Sequence, residues 1–390
     1  MLIKRAMQKY IQKAAKKYPV LAILGPRQSG KTTLAQQAFP KHKYISFEDV
    51  VGIQEYVKQD PKGFLEEYAN PHGIILDEFQ HAPIILSYIQ LAADRENKPG
   101  YFILTGSQNF LMNQAISQTL AGRIALFNLL PLSVQELAAT SLLPDSVEVV
   151  IHKGFYPRIW AQDFDSGWYN NYIRTYLERD ARQLKNISDL SLFQTFVGLC
   201  AGRIGQILNV ASLANDCGIT QATANSWLTI LQASYLIFLL QPHHKSFSKR
   251  LIKSPKIYFY DTGIACALLG IESPDGVYKH HLRGNLMESF VLSELLKQYY
   301  NHDKIPHIYF WRDKSEHEID FVLERDSILV PIEVKAGKTI STDYFDNLRY
   351  WCKLAEIDPS HGFVVYAGNE NQKRSSGTVV NWKNVSKIFD

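Results

Sequence analysis

The sequence predicts an α/β protein with a parallel sheet in its N-terminal third, a mainly helical middle and a second α/β region at its C-terminal end. Three observations predict it. Short apolar runs alternate with helical patterns over the first part of the chain. One of these runs leads directly into a glycine-rich stretch, GPRQSGKT, that opens a helix. Beyond residue 272, after a helical middle, strand-like runs return.

Five runs read as buried strands: Val20–Gly25, Lys43–Glu48, Gly73–Glu78, Tyr101–Ser107 and Ile124–Leu130. Strands separated by helical patterns argue for βαβ units, and residues 1–150 are expected to form one domain. Residues 151–272 are read as a helical domain, with apolar residues at helical spacing over Asn171–Ile187. The turn-rich ESPDG, Glu272–Gly276, is expected to be a linker. In residues 273–390 a helix, Asn285–Tyr300, precedes strands Ile308–Asp313, Glu318–Arg325, Leu329–Gly337 and Gly362–Gly368.

The 390 residues are 46% hydrophobic and 21% charged, an ordinary globular composition. No apolar run approaches the roughly 18 residues of a membrane-spanning helix, so no membrane association is expected. The N-terminal MLIKRAMQKYIQKAAKKYP carries bases throughout and lacks an apolar core with a cleavage site; it reads as a basic amphipathic helix. Cys200, Cys217, Cys266 and Cys352 form no CxxC pair, which suggests reduced, buried thiols and a cytoplasmic location. A net charge of +4 makes no whole-chain case for nucleic acid. The stretch His243–Lys256, with five Lys or Arg and no acid, is either a polyanion-binding patch or solvated surface.

Gly25–Thr32 fits G-x-x-x-x-G-K-[ST] in full, between an apolar strand and a helix. Gly25, Pro26, Arg27, Gln28, Ser29, Gly30, Lys31, Thr32 and Thr33 are therefore expected to cradle the phosphates of ATP. The glycines let main-chain N–H groups curl around phosphate oxygens, and the helix N-terminus adds its dipole. Lys31 is expected to reach the β- and γ-phosphates, and the Thr32 hydroxyl to bind Mg²⁺. Asp77 ends the apolar run GIILD and is expected in the Mg²⁺ shell, with Glu78 orienting or deprotonating the attacking water. Ser107, ending a third strand, is a candidate contact to the γ-phosphate or water, or a plain strand-end turn. Arg123 is a candidate arginine finger acting on a neighbouring subunit of a homo-oligomer, or a structural salt-bridge partner.

At these residues the chain resembles a known family. GPRQSGKTTL, LDEFQHAP, LTGSQ and LAGR look like the bacterial and archaeal AAA-type ATPases that carry a C-terminal domain of unknown function. GFYPR (Gly154–Arg158), YLERDAR (Tyr176–Arg182) and YFYDTGIACALLG (Tyr258–Gly270) are similar to the start and middle of that appended domain. The resemblance implies a P-loop ATPase core over 1–150, a winged-helix segment over 151–272 and a nuclease-like end over 273–390. Asp180 and Arg182 are family positions by resemblance alone.

Ser212–Leu231 has the spacing of a helix-turn-helix. Leu213 and Ala214 are expected to pack the first helix, Gly218 to make the turn, Ile219 to enter the core and Thr220 to cap the second helix. Gln221, Thr223, Asn225 and Ser226 are short and polar, as groove-facing residues are. Duplex or branched DNA is the expected partner, although such modules also serve as lids and protein contacts in ATPases.

Glu333 and Lys335 close the apolar run LVPIEVKAG, thirteen residues beyond Asp320 in EIDFVL. In a hairpin, alternation puts Glu333 and Lys335 on one face, with Asp320 beside them and Glu288 on the preceding helix. Asp320, Glu333 and Glu288 are candidate ligands of Mg²⁺ or Mn²⁺, and Lys335 a candidate to position hydroxide. The pattern resembles the restriction-endonuclease-like family, whose core reads D…E-x-K. Three functions stay open: a DNA-acting ATPase with a metal-dependent nuclease domain, a non-cleaving ATP-dependent DNA-binding motor or switch, and a signalling ATPase whose C-terminal domains bind protein.

Overall fold

The structure, a computed structural model, describes residues 3–107, 116, 119–161, 167–183, 187, 189–243, 253–325 and 328–389, with backbone alone for 176–183. It divides into two compact units, the first holding residues 1–132 with 299–304 and the second 133–298 with 305–390. Among the described residues no helix is long and apolar enough to cross a membrane.

The first unit is built on β1 (Val20–Gly25), β2 (Lys43–Ser46), β3 (Ile74–Asp77), β4 (Phe102–Ser107) and β5 (Ile124–Asn128), in the order β2-β3-β4-β1-β5 with every pairing parallel. Alternate residues of β1 enter opposite cores. Val20, Ala22 and Leu24 pack with Ile74, Leu76 and Phe79 on one face. Leu21 and Ile23 pack with Leu34, Ile75 and Phe127 on the other. Burial on both faces is why β1 reads as a continuous apolar run, each buried side chain contributing roughly 1.5–3 kcal/mol. Gly25 lies opposite Ser107, and Asp77 opposite Thr105, so the carboxyl ends of β1, β3 and β4 finish together. The order turns back at β1, and a crevice at such a reversal is where open parallel sheets bind ligands.

In the second unit, β6 (Ile237–Leu240) and β7 (Lys256–Phe259) form an antiparallel pair after the helices Val210–Cys217 and Gln221–Ala233. The strands β8 (Ile308–Arg312), β9 (Glu318–Arg325), β10 (Ile328–Lys335), β11 (Phe363–Tyr366), β12 (Gln372–Arg374) and β13 (Gly377–Asn381) make a mixed sheet ordered β12-β13-β11-β10-β9-β8. One face of that sheet packs Ile319, Val322 and Val364 against Leu348 and Trp351 of the helix Asp346–Ala355.

Three details differ from the sequence reading. Residues 133–150, read with the first domain, belong to the second unit. Ser133 and Glu136 form a capping box there, and the Val134 N–H donates to Glu294 Oε2 at 2.8 Å. The stretch 272–276, read as a linker, starts the helix Pro274–Lys279: Ser273 caps it, accepting from the Gly276 N–H, and Pro274 takes the first position, where a missing N–H costs nothing. The short β12 and β13 had no sequence counterpart.

A buried carboxylate ties GFYPR to YDTG. Asp261 accepts N–H groups from Phe155 at 2.7 Å, Gly263 at 3.0 Å and Ile264 at 3.3 Å. Gly154 has φ +62°, and a Cβ there would sit 2.1 Å from the Tyr169 hydroxyl and 2.4 Å from Asp261 Oδ1. Only glycine meets both the backbone and the close approach.

Candidate nucleotide site and carboxylate cluster

The P-loop bends where its sequence allows it. Gly30 (φ +95°) precedes the helix Lys31–Ala38, and Gln28 takes φ +60°. A Cβ on Gly25 would meet the Leu129 carbonyl oxygen at 2.2 Å. Lys31 is buried, and its Nζ donates to the Pro26 carbonyl at 2.8 Å, across the loop. The Ser29 hydroxyl is buried with no hydrogen-bond partner. Thr33 is exposed.

Asp77, buried at the end of β3, gathers hydroxyl groups. Thr32 Oγ1 lies 2.9 and 3.1 Å from its two carboxylate oxygens, and the Tyr44 hydroxyl donates to Oδ2 at 2.8 Å. Thr105, opposite Asp77 on β4, also donates to it. Burial, and then the bond to Asp77, push the Tyr44 phenol up to about 12. Glu78 follows in the left-handed region at φ +55°. Gln80 donates both to Glu78 and to Ser107 Oγ, the latter at 3.1 Å, and so links the two strand ends. A Cβ on Gly106 would meet Gln80 Oε1 at 2.3 Å, so a side chain there would displace the Gln80 amide. Gln108 lies outside the described residues.

Sequence reasoning missed Arg5. Its buried guanidinium donates to the Ser29 carbonyl at 2.7 Å and to the Leu130 carbonyl at 2.6 Å, tying the P-loop to the chain leaving β5. The only signal was one arginine in a basic N-terminal segment. Tyr44 was missed for a similar reason, and Thr105, read within the strand end Thr105–Gln108 as a candidate for phosphate or water, bonds Asp77 instead: both roles arise from strand neighbours distant in sequence. Arg123 donates from two guanidinium nitrogens to both carboxylate oxygens of Asp94, the Nη2–Oδ2 distance being 3.0 Å. Of its two readings, the salt-bridge one describes this arrangement.

In the second unit, Gly218 turns the helix-turn-helix at φ +70°, and the Thr220 hydroxyl accepts the Thr223 N–H at 3.1 Å. Leu213 and Ala214 are buried, whereas Ile219 is only half-buried. Gln221, Asn225 and Ser226 are exposed; Thr223 is half-buried, its hydroxyl 2.9 Å from that of Thr220. Lys245, Lys249 and Arg250 lie outside the described residues, as do the side chains of Asp180 and Arg182. Lys253 is exposed, but Lys256, read as the end of the basic stretch, is 3% exposed.

Glu288, Asp320, Glu333 and Lys335 come together in the second unit. The ladder between β9 and β10 ends at Phe321–Ile332; beyond it the Asp320 carboxylate takes the Val334 N–H at 2.7 Å. Lys335 Nζ contacts Glu333 Oε2 at 2.6 Å, while Glu333 Oε1 is buried without a partner. The Tyr258 hydroxyl donates to Glu288 Oε2 at 2.8 Å. Burial and then the Asp320 charge push Glu288 and Glu333 up to about 8, against the pull of Lys256 and Lys335 respectively. Asp320 is raised too, by burial, with both lysines opposing. Among the described residues no group of three or more His, Cys, Asp or Glu is arranged to hold a metal ion. Lysine ammonium groups stand among the carboxylates instead.

An AAA domain profile matches residues 17–138, a domain of unknown function (DUF8612) residues 145–275, and a second domain of unknown function (DUF4143) residues 283–385. Uncharacterized proteins of Mycobacterium bovis and Mycobacterium tuberculosis are each 28% identical over 373 residues, 95% of this chain and 81% of theirs. Among solved structures, a Walker-type ATPase of Pyrococcus abyssi is similar with 15% identity over 67% of this chain and 94% of its own, at a TM-score of 0.43. AMPPCP-bound DnaA of Aquifex aeolicus shares 14% identity over 58% of this chain and 85% of its own, at a TM-score of 0.31. The chain thus carries an AAA domain that holds a complete P-loop, followed by two domains of unknown function, DUF8612 and DUF4143.

Proposed function

We propose that this chain hydrolyses Mg²⁺-bound ATP in its first unit and couples hydrolysis to a DNA-binding second unit. The observation that carries the ATPase half is the Thr32 hydroxyl within 2.9 Å of the Asp77 carboxylate at the foot of the P-loop. A hydroxyl and a carboxylate make an oxygen donor set suited to a hard divalent cation. Gly25–Thr33 bind the phosphates, Lys31 provides the cationic partner of their terminal oxygens, and Thr32 with Asp77 hold the Mg²⁺, which neutralises developing charge when bound. Glu78, held by Gln80, takes the proton of the attacking water, and Ser107 orients that water. Arg123, once released from Asp94, completes the site from a neighbouring copy.

The DNA half rests on the helix-turn-helix with its exposed Gln221, Asn225 and Ser226, on the β6–β7 pair that follows as in a winged helix, and on the basic stretch between those strands. Glu288, Asp320 and Glu333 are the residues that would hold Mg²⁺ or Mn²⁺ in a restriction-endonuclease-like domain, with Lys335 beside them. The lysine pairing of that cluster favours the non-cleaving reading, in which the terminal domain grips duplex or branched DNA without cutting. With reduced thiols throughout, we place the protein in the cytoplasm.

The test is an ATPase assay with single-stranded, duplex and junction DNA. Turnover should need Mg²⁺ and rise with at least one DNA form; Lys31→Ala should abolish nucleotide binding, and Glu78→Gln should bind ATP but turn it over slowly. Normal turnover in Lys31→Ala would remove the ATPase assignment. DNA-independent turnover with no salt-dependent DNA binding would leave the protein-binding signalling reading in its place.

A further inference from the structure

Lys256 opens β7, in the segment after the helix-turn-helix, yet its ammonium belongs to the C-terminal carboxylate cluster. It is 3% exposed. Its Nζ bonds Glu318 and lies 3.8 Å from Glu288 Oε2. Asp320 pulls on the same ammonium, and the face of Phe310 lies 5.6 Å away. A lysine in such a place costs several kcal/mol of desolvation unless carboxylates surround it.

Its surroundings show what it does there. Glu288, Glu318, Asp320 and Glu333 are four carboxyl groups in one cluster, and burial with the Asp320 charge favours a proton on Glu288 and Glu333. Lys256, Lys335 and Arg312 are the cations among them, Arg312 lying 3.0 Å from Glu318 Oε2 and 3.2 Å from Glu316 Oε1. Removing Lys256 takes away the cation beside Glu288 and leaves carboxyl oxygens that a divalent cation, displacing those protons, can bind. The buried Glu333 Oε1, with no hydrogen-bond partner, is an acceptor left over for such a cation or a proton.

We propose that Lys256 is a built-in counter-ion that occupies the cluster in place of a divalent cation, so that the native protein binds Mn²⁺ or Mg²⁺ there only weakly. The inference rests on the reading of Glu288, Asp320 and Glu333 as metal-binding carboxylates. It deepens that reading by naming the residue that keeps the metal out, one supplied by a strand outside the hairpin that carries Asp320 and Glu333.

The experiment is a Mn²⁺ titration of the full-length, nucleotide-free protein by electron paramagnetic resonance, with Asp320→Asn as the control for binding elsewhere. Lys256→Met should gain a Mn²⁺ site tighter by about tenfold or more than any in the parent, and Lys256→Met with Asp320→Asn should lose it. Lys256→Gln, one atom shorter and uncharged but still a hydrogen-bond donor, should show the same gain. If both Lys256 variants unfold in EDTA, Mn²⁺ should restore their folding, and failure to do so overturns the proposal. Tight Mn²⁺ binding in the parent that disappears with Asp320→Asn overturns the role of Lys256 but leaves the metal reading standing. No Asp320-dependent binding in either folded Lys256 variant overturns both.

Discussion

Replacing Arg5 should loosen the P-loop from outside the nucleotide motif. The side chain is buried, and its guanidinium donates to main-chain carbonyls of Ser29 at 2.7 Å, Leu130 at 2.6 Å and Pro131 at 3.4 Å. Hydrogen bonds from a charged donor contribute about 1.5–3 kcal/mol each, so the two short ones together contribute roughly 3–6 kcal/mol, and the long one adds little. Relief of the buried charge offsets part of this. Arg5→Met, similar in length but apolar, should therefore cost about 2–4 kcal/mol locally, or roughly 30- to 700-fold in the opening equilibrium of the P-loop. Arg5→Lys should fall between, because one ammonium lacks the fork that reaches two carbonyls. The assay is amide hydrogen exchange over residues 25–34, paired with a titration of a fluorescent ATP analogue. Exchange should accelerate by that factor and nucleotide affinity should fall. Exchange within about twofold of the parent, with unchanged affinity, would refute the reasoning: the two carbonyls would then be satisfied as well by water.

Three further outcomes are expected. If Arg123 acts on a neighbour's nucleotide, it must leave Asp94, and mixing Arg123→Ala with Lys31→Ala protein should restore part of the ATPase activity; a merely structural pair predicts equal losses in Arg123→Ala and Asp94→Asn and no restoration at any mixing ratio. Changing Lys249, Arg250 and Lys253 to Glu should weaken DNA binding for all sequences alike and flatten its salt dependence, whereas an unchanged affinity at low salt would take the nucleic-acid role away from this stretch. Burial raises the Asp261 carboxyl above its ordinary 3.8, with Lys297 opposing. The stability that protonated Asp261 contributes is full below that value and is lost as pH rises through the folded value, so the parent should lose stability relative to Asp261→Asn from pH 4 upward in urea titrations; a gap constant with pH would contradict this.

The sequence alone determined what local pattern determines. β1 and β3 are buried on both faces and so appear as unbroken apolar runs, whereas β2 and β5, also read as buried strands, keep exposed residues at the sheet's two edges; β1 and β9 have the bounds read from sequence. The P-loop was legible because its chemistry is contiguous: glycines, lysine and threonine must follow one another at the head of one helix. The same holds for the helix-turn-helix, whose turn and cap fall on Gly218 and Thr220. Side-chain alternation put Glu333 and Lys335 on one face, whereas Asp320 lies beyond the end of the β9–β10 ladder and meets β10 by accepting the Val334 N–H. Tertiary structure decided everything that depends on a partner far along the chain. The compact units divide at Ser133, and the Val134 N–H just beyond is accepted by Glu294, 160 residues away, a contact that no local signal marks. Tyr44 and Thr105 join the nucleotide site only through strand order, and Arg5 through the packing of the N-terminal segment on the P-loop and the chain leaving β5. Lys256 is the sharpest case. In sequence it ends a basic run and looks like solvated surface, but the fold places it 3.8 Å from Glu288, 32 residues away, and against Glu318, 62 residues away. A lysine's charge is visible in the sequence; whether water or buried carboxylates surround it is settled by which strands the fold sets side by side.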